Sequence, residues 1–172
     1  MALHRGSARP DDRAMSAEPL TLLRDTWFTA DMPPAIVSRL AELGEVRDFA
    51  ANAPIISSGA PCAALGLLLD GCVALRIRVP GDPSRTILTL EGGDIVGWSA
   101  ILPPPSVATA TAVAIVPTRV MLFERGRLAA AMSADCTLAE AVTRRVLQAV
   151  ARRLQATRLQ LLDVYRPERE PW

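Results

Sequence analysis

Apolar residues recur at helical spacing near both ends of the sequence and at strand spacing between them. Near the start, residues 20–28 predict a short helix. A second helix is predicted from Asp31, its candidate N-cap, with two prolines in its first turn and an end at Gly44. The buried face of this second helix is predicted to consist of Ile36, Val37, Leu40 and Leu43.

The region from Glu45 to Phe123 has short apolar runs that recur about every eight to twelve residues, with Gly, Pro, Asp and Asn between them. This spacing is typical of a sandwich or a roll of two Greek-key sheets. We therefore predict a mostly β fold with flanking helices, namely a double-stranded β-helix (jelly roll) of eight short strands. The runs cover residues 46–50, 54–57, 65–69, 73–79, 86–90, 95–98, 108–116 and 119–123.

Apolar and polar residues alternate most clearly in the run from Val73 to Val79. Because successive strand side chains point to opposite faces, its odd-numbered residues are expected to point into the core. On the same argument, Ala74, Arg76 and Arg78 are expected to face solvent.

Helical periodicity returns after Phe123, first in a short helix over residues 124–132. A long helix is predicted from Leu138 to Tyr165, because this stretch contains neither Pro nor Gly, and Asp135 is its candidate cap. At 1.5 Å per residue the long helix would extend about 40 Å.

The long helix carries two apolar stripes, one of which has heptad spacing with arginines on its flanks. One small domain cannot bury two faces of so long a helix, so a parallel homodimer is predicted. The alternative is a helix that lies wholly on its own roll. The dimer stripe comprises Leu147, Val150, Leu154, Thr157, Leu161 and Val164. The flanking arginines are Arg144, Arg145, Arg152 and Arg153, and the roll-facing stripe is Val142, Val146, Leu159 and Leu162.

Four segments follow from these patterns. Residues 1–17 are predicted to be a disordered tail, 18–134 the roll with its N-terminal helices, 135–165 the dimerisation helix and 166–172 a second tail.

Half of the residues are hydrophobic, and 19 basic residues against 18 acidic ones give a net charge of +1. This balance gives no basic footprint for DNA or an anionic membrane, and no apolar run could span a bilayer. The protein is expected in the cytoplasm.

The residues that usually build metal or catalytic sites are scarce. Cys62, Cys72 and Cys136 lack the C-x-x-C spacing of a metal site, and His4 is the only histidine. No Ser/His/Asp or Cys/His arrangement and no carboxylate pair stands out. We therefore expect no metal and no enzymatic activity.

Three stretches now match one family pattern. Ile55–Cys62, with 65–68 and Gly71, resembles the first signature of cyclic nucleotide-binding domains. Val96–Ala114 resembles the phosphate-binding cassette of the same family. Ala151–Thr157 is similar to the dimerisation helix of the Crp/Fnr regulators. The resemblance implies a sensor domain that binds a small ligand between its cassette and this helix.

The cassette departs from the pattern at two positions. The resemblance implies that family members hold the ribose with a glutamate directly after the cassette glycine. It also implies that they hold the phosphate with a buried arginine. Trp98 and Ala108 occupy these positions here. Losing both charged partners is expected to lower cyclic nucleotide affinity by several orders of magnitude. Trp98 is either a stacking platform for a planar ligand or an apolar plug of the phosphate cup.

Two residues of the long helix complete the implied site. Thr157 matches the position that reaches the purine, although it could equally be a polar residue tolerated in the dimer stripe. Arg158 could enter the mouth of the pocket and replace the lost positive charge, or lie on a solvated face. The ligand-binding residues implied by the resemblance are Gly97, Trp98, Ser99, Ala100, Ala108, Thr109, Thr157 and Arg158.

These observations predict a stand-alone dimeric regulatory or sensor module with weak or no classical cyclic AMP binding. No cofactor is certain; a ligand, if one is bound, would be a cyclic nucleotide or another small planar molecule. The Crp/Fnr regulators carry a winged helix-turn-helix after the dimer helix, and this sequence ends too soon for one, so DNA binding is not expected. The alternative is a ligand-free dimeric scaffold that binds a partner protein.

Overall fold

The computed structural model of the protein describes residues 19–24, 26–79 and 81–164, except for the side chains of residues 82, 83 and 159–164. Both predicted tails, 1–17 and 166–172, lie outside these ranges. The described helices are α1 (residues 19–24), α2 (Pro34–Leu43), α3 (Arg125–Ala134) and α4 (Cys136–Val164). A single turn of 3-10 helix, η1, covers Trp98–Ile101.

Between α2 and α3 the chain forms eight described strands in two antiparallel four-stranded sheets. The first sheet has the order β1-β8-β3-β6 and the second β2-β7-β4-β5. The strands are β1 (Gly44–Phe49), β2 (Pro54–Ile56), β3 (Ala64–Asp70), β4 (Cys72–Val79), β5 (Asp82–Glu91), β6 (Ile95–Val96), β7 (Thr111–Ala114) and β8 (Thr118–Glu124). The predicted mostly β roll with flanking helices is confirmed.

The helices pack on the roll through one continuous apolar cluster. The four residues predicted for the buried face of α2 are all buried, together with Leu23 and Phe28. Helix α4 joins the same cluster through Leu138, Val142 and Val146, which follow one helical face. The long helix therefore begins on the roll and buries Val142 and Val146 of its predicted roll-facing stripe there, whereas Leu159 and Leu162 of that stripe lie outside the described side chains.

Both C-terminal helices begin at acidic caps. Asp135 Oδ1 accepts hydrogen bonds from the backbone N–H groups of Thr137 and Leu138, as its predicted role requires. Glu124 accepts from the N–H groups of Gly126 and Arg127, and these two bonds lower the pKa of its carboxyl group.

Two local predictions are wrong. Asp31 does not cap α2, which begins three residues later behind Pro33. Asp31 instead adopts a positive φ of 63°, and its carboxylate lies 3.7 Å from the guanidinium of Arg145. Ala74, expected in solvent, is only 2% exposed, because it lies in the middle of a sheet between Thr89 and Val113 on the adjacent strands.

Candidate functional site

The cassette turn is built on Gly97, which joins β6 to η1. Gly97 has a φ of 67°, in the left-handed region that glycine enters at little cost. A Cβ atom there would lie 2.4 Å from the backbone oxygen of Ala64 and 2.8 Å from Cδ1 of Ile56. The chain can therefore pass this close to β3 only with glycine at this position.

The cup lies beside this turn and has a volume of about 30 Å³. Five of the six predicted ligand-binding residues in the cassette line it: Gly97, Trp98, Ser99, Ala108 and Thr109. Ala108 is buried, so the small residue at the family's arginine position leaves no polar group there. The remaining lining residues are Ile56, Leu75, Val96, Ala110, Ala112 and Arg153.

Trp98 is half-buried, and its ring both lines the cup and packs against the main apolar cluster. This placement is compatible with a plug as well as with a platform. Ser99 is buried and lies beside it. Ala100 is buried on the other side of η1, where it lines a separate cavity of about 300 Å³ against α3.

Arg153 is the cup residue that the sequence prediction missed. Its side chain comes from α4, and its Nη2 atom donates a hydrogen bond of 2.6 Å to the backbone oxygen of Ile95. Burial lowers the pKa of this guanidinium, and the attraction of Asp94 opposes that shift. The cup therefore contains a positive charge, but that charge comes from the long helix and not from the cassette.

The two helix residues predicted to reach the ligand lie elsewhere. Thr157 does not line the cup; its hydroxyl donates 2.9 Å to the backbone oxygen of Arg153, one helical turn earlier. Arg158 is exposed and does not line the cup either. Within the described part of a single chain, the position predicted for Arg158 is thus taken by Arg153.

The loop after η1 is hydrogen-bonded both to η1 and to the start of α3. Ser106 Oγ donates 2.8 Å to the backbone oxygen of Ser99 and accepts 2.7 Å from Nη1 of Arg125. The second terminal nitrogen of Arg125 donates 2.7 Å to the backbone oxygen of Leu102. Arg125 opens α3, so this clamp ties the cassette loop to the start of the C-terminal helices.

The outer face of α4 is apolar and uncovered in the single chain. Leu147 and Leu154, one heptad apart, are 66% and 51% exposed. Val150 is half-buried against the main apolar cluster, and Thr157 is half-buried. Leu161 and Val164, the other members of the predicted dimer stripe, lie outside the described side chains.

The arginines predicted to flank the dimer stripe have partners within the chain. The guanidinium of Arg152 lies 3.6 Å from the centre of the Trp27 ring, and that of Arg145 lies 5.8 Å from it. Arg144 pairs with Glu140 one turn earlier on α4. The described ion pair of Arg144 lies within α4 itself. The other three arginines contact residues outside α4 and so attach the helix to the rest of the domain.

Two findings concern classes of site that the chain could carry. Among the described residues, no cluster of three His, Cys, Asp or Glu side chains is placed to ligate a metal ion. No described helix has both the length and the hydropathy needed to cross a membrane.

Comparison with known proteins places this geometry in a family. No curated protein matches the sequence. A cyclic nucleotide-binding domain from Methylobacillus flagellatus has 21% sequence identity and a TM-score of 0.74, over 89% of this chain and 85% of its own. A candidate cyclic nucleotide-binding protein from Geobacter metallireducens has 26% identity and a TM-score of 0.68, over 77% and 95% of the two chains.

A regulator that contains this fold is also similar. The catabolite activator protein of Thermus thermophilus has 24% identity and a TM-score of 0.65, over 80% of this chain and 62% of its own. The profile of the family described as "Cyclic nucleotide-binding domain" matches residues 46–135, which is more than half of the chain. The chain therefore belongs to the cyclic nucleotide-binding domain family, as its sequence motifs predicted.

Proposed function

We propose that the protein is a cytoplasmic, dimeric regulatory module that does not bind DNA and binds classical cyclic AMP weakly or not at all. The observation that carries this proposal is that one helix contributes both to the cup and to an exposed apolar surface. Helix α4 supplies Arg153 to the cup and leaves Leu147 and Leu154 uncovered on its outer face. A ligand that moves Arg153 can therefore change the surface through which α4 meets a partner.

Weak binding of cyclic AMP follows from the chemistry of the cup. Trp98 and Ala108 stand where the resemblance implies the glutamate for the ribose and the arginine for the phosphate. A nucleotide would have to bury its phosphate without that arginine, which costs binding free energy.

The net charge of the chain supports a function that does not involve binding to DNA. Non-specific attraction to DNA comes from clustered basic residues. This sequence has a net charge of only +1, and three arginines of α4 are engaged by Trp27 or Ile95. A protein partner is the more favourable target for the apolar stripe of α4.

The second candidate function is a ligand-free dimeric scaffold. The packing of Trp98 against the main apolar cluster favours it, because a plugged cup would need no ligand. Both candidates use α4 as the interface, so the response to ligands distinguishes them.

The test is a thermal unfolding screen of the intact protein with cyclic AMP, cyclic GMP and cyclic dinucleotides. A ligand that binds only the native state must raise the melting temperature. We expect no shift with micromolar cyclic AMP, and a shift of several degrees at that concentration would contradict weak binding. An unchanged melting temperature with every ligand at millimolar concentration would favour the ligand-free scaffold.

Substituting both departing residues sharpens this screen. The double variant Trp98→Glu with Ala108→Arg restores the two charged groups that the family uses, and it should gain a cyclic AMP response if the cup can open. A matched control adds the same charges on the exposed face of α3, as Ala130→Glu with Ala134→Arg, and should gain none. If cyclic AMP still leaves the melting temperature of the cup variant unchanged, the cup is closed to nucleotides.

A further inference from the structure

The second cavity, of about 300 Å³, lies between η1 and α3, and no residue lines both it and the cup. Two of its wall residues, Ala100 and Leu128, are buried, whereas Ala129 and Ser133 are exposed. The cavity therefore has a buried apolar interior and a mouth that opens to solvent. The other apolar residues of its wall are Ile101, Met132 and Ala139.

Arg125, the first residue of α3, is the charged residue in the described wall of this cavity. Its guanidinium donates to Oγ of Ser106 and to the backbone oxygen of Leu102, which are both neutral acceptors. Among the described residues, no carboxylate pairs with it. These two bonds use only part of the five N–H donors of a guanidinium. Arg125 can therefore still donate to an anion at the cavity.

The two acidic residues that flank α3 in the sequence are engaged at helix starts. Glu124 accepts from the N–H groups at the start of α3. Asp135 accepts from those at the start of α4. Their hydrogen bonds to these caps leave the charge of Arg125 for a group from outside the described structure.

We propose that this cavity binds a small amphipathic carboxylic acid, an aliphatic or aromatic monocarboxylate. Its apolar body would enter between η1 and α3, where it removes apolar surface from water. Its carboxylate would form charge-assisted hydrogen bonds with the guanidinium of Arg125. An apolar side chain of a partner protein would fill only the apolar part and leave Arg125 unpaired, so a free acid is the better match.

This site goes beyond the proposed function, because it lies outside the cup and takes a different class of ligand. Its occupant would contact Ala100 and Ile101 of η1, the same turn whose first two residues line the cup. It would also contact Ala139, in the first turns of α4. Binding here therefore acts on the cassette turn and on the long helix together.

The test is thermal unfolding of the intact protein with sodium octanoate and sodium phenylacetate as aliphatic and aromatic probes. We expect a saturable rise in melting temperature with at least one of them, about 3 °C or more at tenfold excess over its dissociation constant. Acetate lacks the apolar body and octan-1-ol lacks the charge, so both should give smaller rises at equal concentration. No saturable rise with either probe, or an equal rise with octan-1-ol, would overturn the proposal.

Substitutions in the wall locate the response. Ala129→Phe places a large side chain in the mouth of the cavity and should abolish the rise. Ala130→Phe adds the same side chain at the next exposed position of α3, outside the cavity, and should keep it. Arg125→Gln should weaken octanoate binding about tenfold or more and leave octan-1-ol binding nearly unchanged. An equal response in Ala129→Phe and Ala130→Phe would show that the acid binds elsewhere.

Methyl NMR of methionine gives a second readout at the site itself. The signal of Met132, assigned with Met132→Leu, should shift as octanoate is added. The signal of Met121, which is buried in the roll, should stay in place. A response of other methionines without Met132 would contradict the proposed location, even if the Arg125 variant folds poorly.

The outcomes separate this inference from the proposed function. A cyclic nucleotide response without any response to the carboxylates would refute this site and leave the regulatory module intact. A carboxylate response in a protein that is monomeric at every concentration would support this site and refute the dimeric module.

Discussion

Gly97 shows how a single residue sets the geometry of the cup. Its positive φ and its approach to the backbone of β3 are separate constraints; the first disfavours a side chain and the second leaves no room for one. Gly81 meets only the first, because it has a φ of 85° and no other atom lies within 4 Å of where a Cβ would be. The pair therefore allows the cost of the close contact to be measured apart from the cost of the backbone conformation.

We predict that Gly97→Ala lowers the free energy of unfolding by about 3 kcal/mol or more, since it combines a left-handed alanine with a clash against backbone. Gly81→Ala should cost only about 1 kcal/mol, the conformational part. Urea denaturation of both variants measures the difference. Equal losses for the two would mean that β3 moves aside at no cost and that Gly97 is not needed for close approach.

Residues of the cassette were predictable from sequence because they are neighbours along the chain. The glycine, Trp98 and Ala108 could be placed by local spacing alone. Arg153 could not, because its role depends on which face of a distant helix meets the roll. A sign of it was nevertheless present: seven residues after Val146, Arg153 interrupts the roll-facing stripe, and a charge at such a position has to find an acceptor inside.

At the scale of elements, helix α4 is attached to the N-terminal segment by a stacked arginine. Arg152 lies 3.6 Å from the centre of the Trp27 ring, and Trp27 in turn covers Gly93, where a Cβ would lie 2.8 Å from its Cδ1. The same ring thus bridges α4 and the turn before β6. Cation–π contacts of this kind contribute about 0.5–1 kcal/mol at exposed sites.

A double-mutant cycle of Arg152→Gln and Trp27→Leu tests this attachment. We expect a coupling energy of about 0.5–1 kcal/mol in urea denaturation. The control cycle pairs Trp27→Leu with Arg144→Gln, whose arginine instead pairs with Glu140, and should give a coupling near zero. A coupling no larger in the first cycle than in the second would show that the stack contributes nothing.

The elements were predicted better than their exact beginnings. All eight strands follow the apolar runs, because a roll repeats one local signal of strand and turn. The prediction that Asp31 caps α2 was wrong, because a capping residue and a residue in a left-handed turn look alike in sequence. Its contact with Arg145 joins residues that are over 100 positions apart in the chain. Long-range contacts of this kind leave no local pattern.

For the whole molecule, the question is which surface covers the outer face of α4. Leu147 and Leu154 together form an exposed apolar stripe on a helix whose opposite face is already buried in the roll. A parallel copy of the same helix would bury both leucines by heptad packing. Because Arg145, Arg152 and Arg153 have partners in their own chain, such a dimer would depend on apolar packing more than on interhelical ion pairs.

Substitution of Leu154 by Asp is the direct test of this assembly. Two-fold symmetry would place two unpaired carboxylates near each other in an apolar seam, so we expect the dimer to weaken at least about a hundredfold. Light scattering should then give twice the monomer mass for the wild type and the monomer mass for Leu154→Asp at the same concentration. Gln155→Asp, which adds the same charge to the next exposed position of α4, should remain dimeric. A wild-type protein that is monomeric at every concentration would refute the dimer, and the apolar stripe would then have to be covered by a different protein.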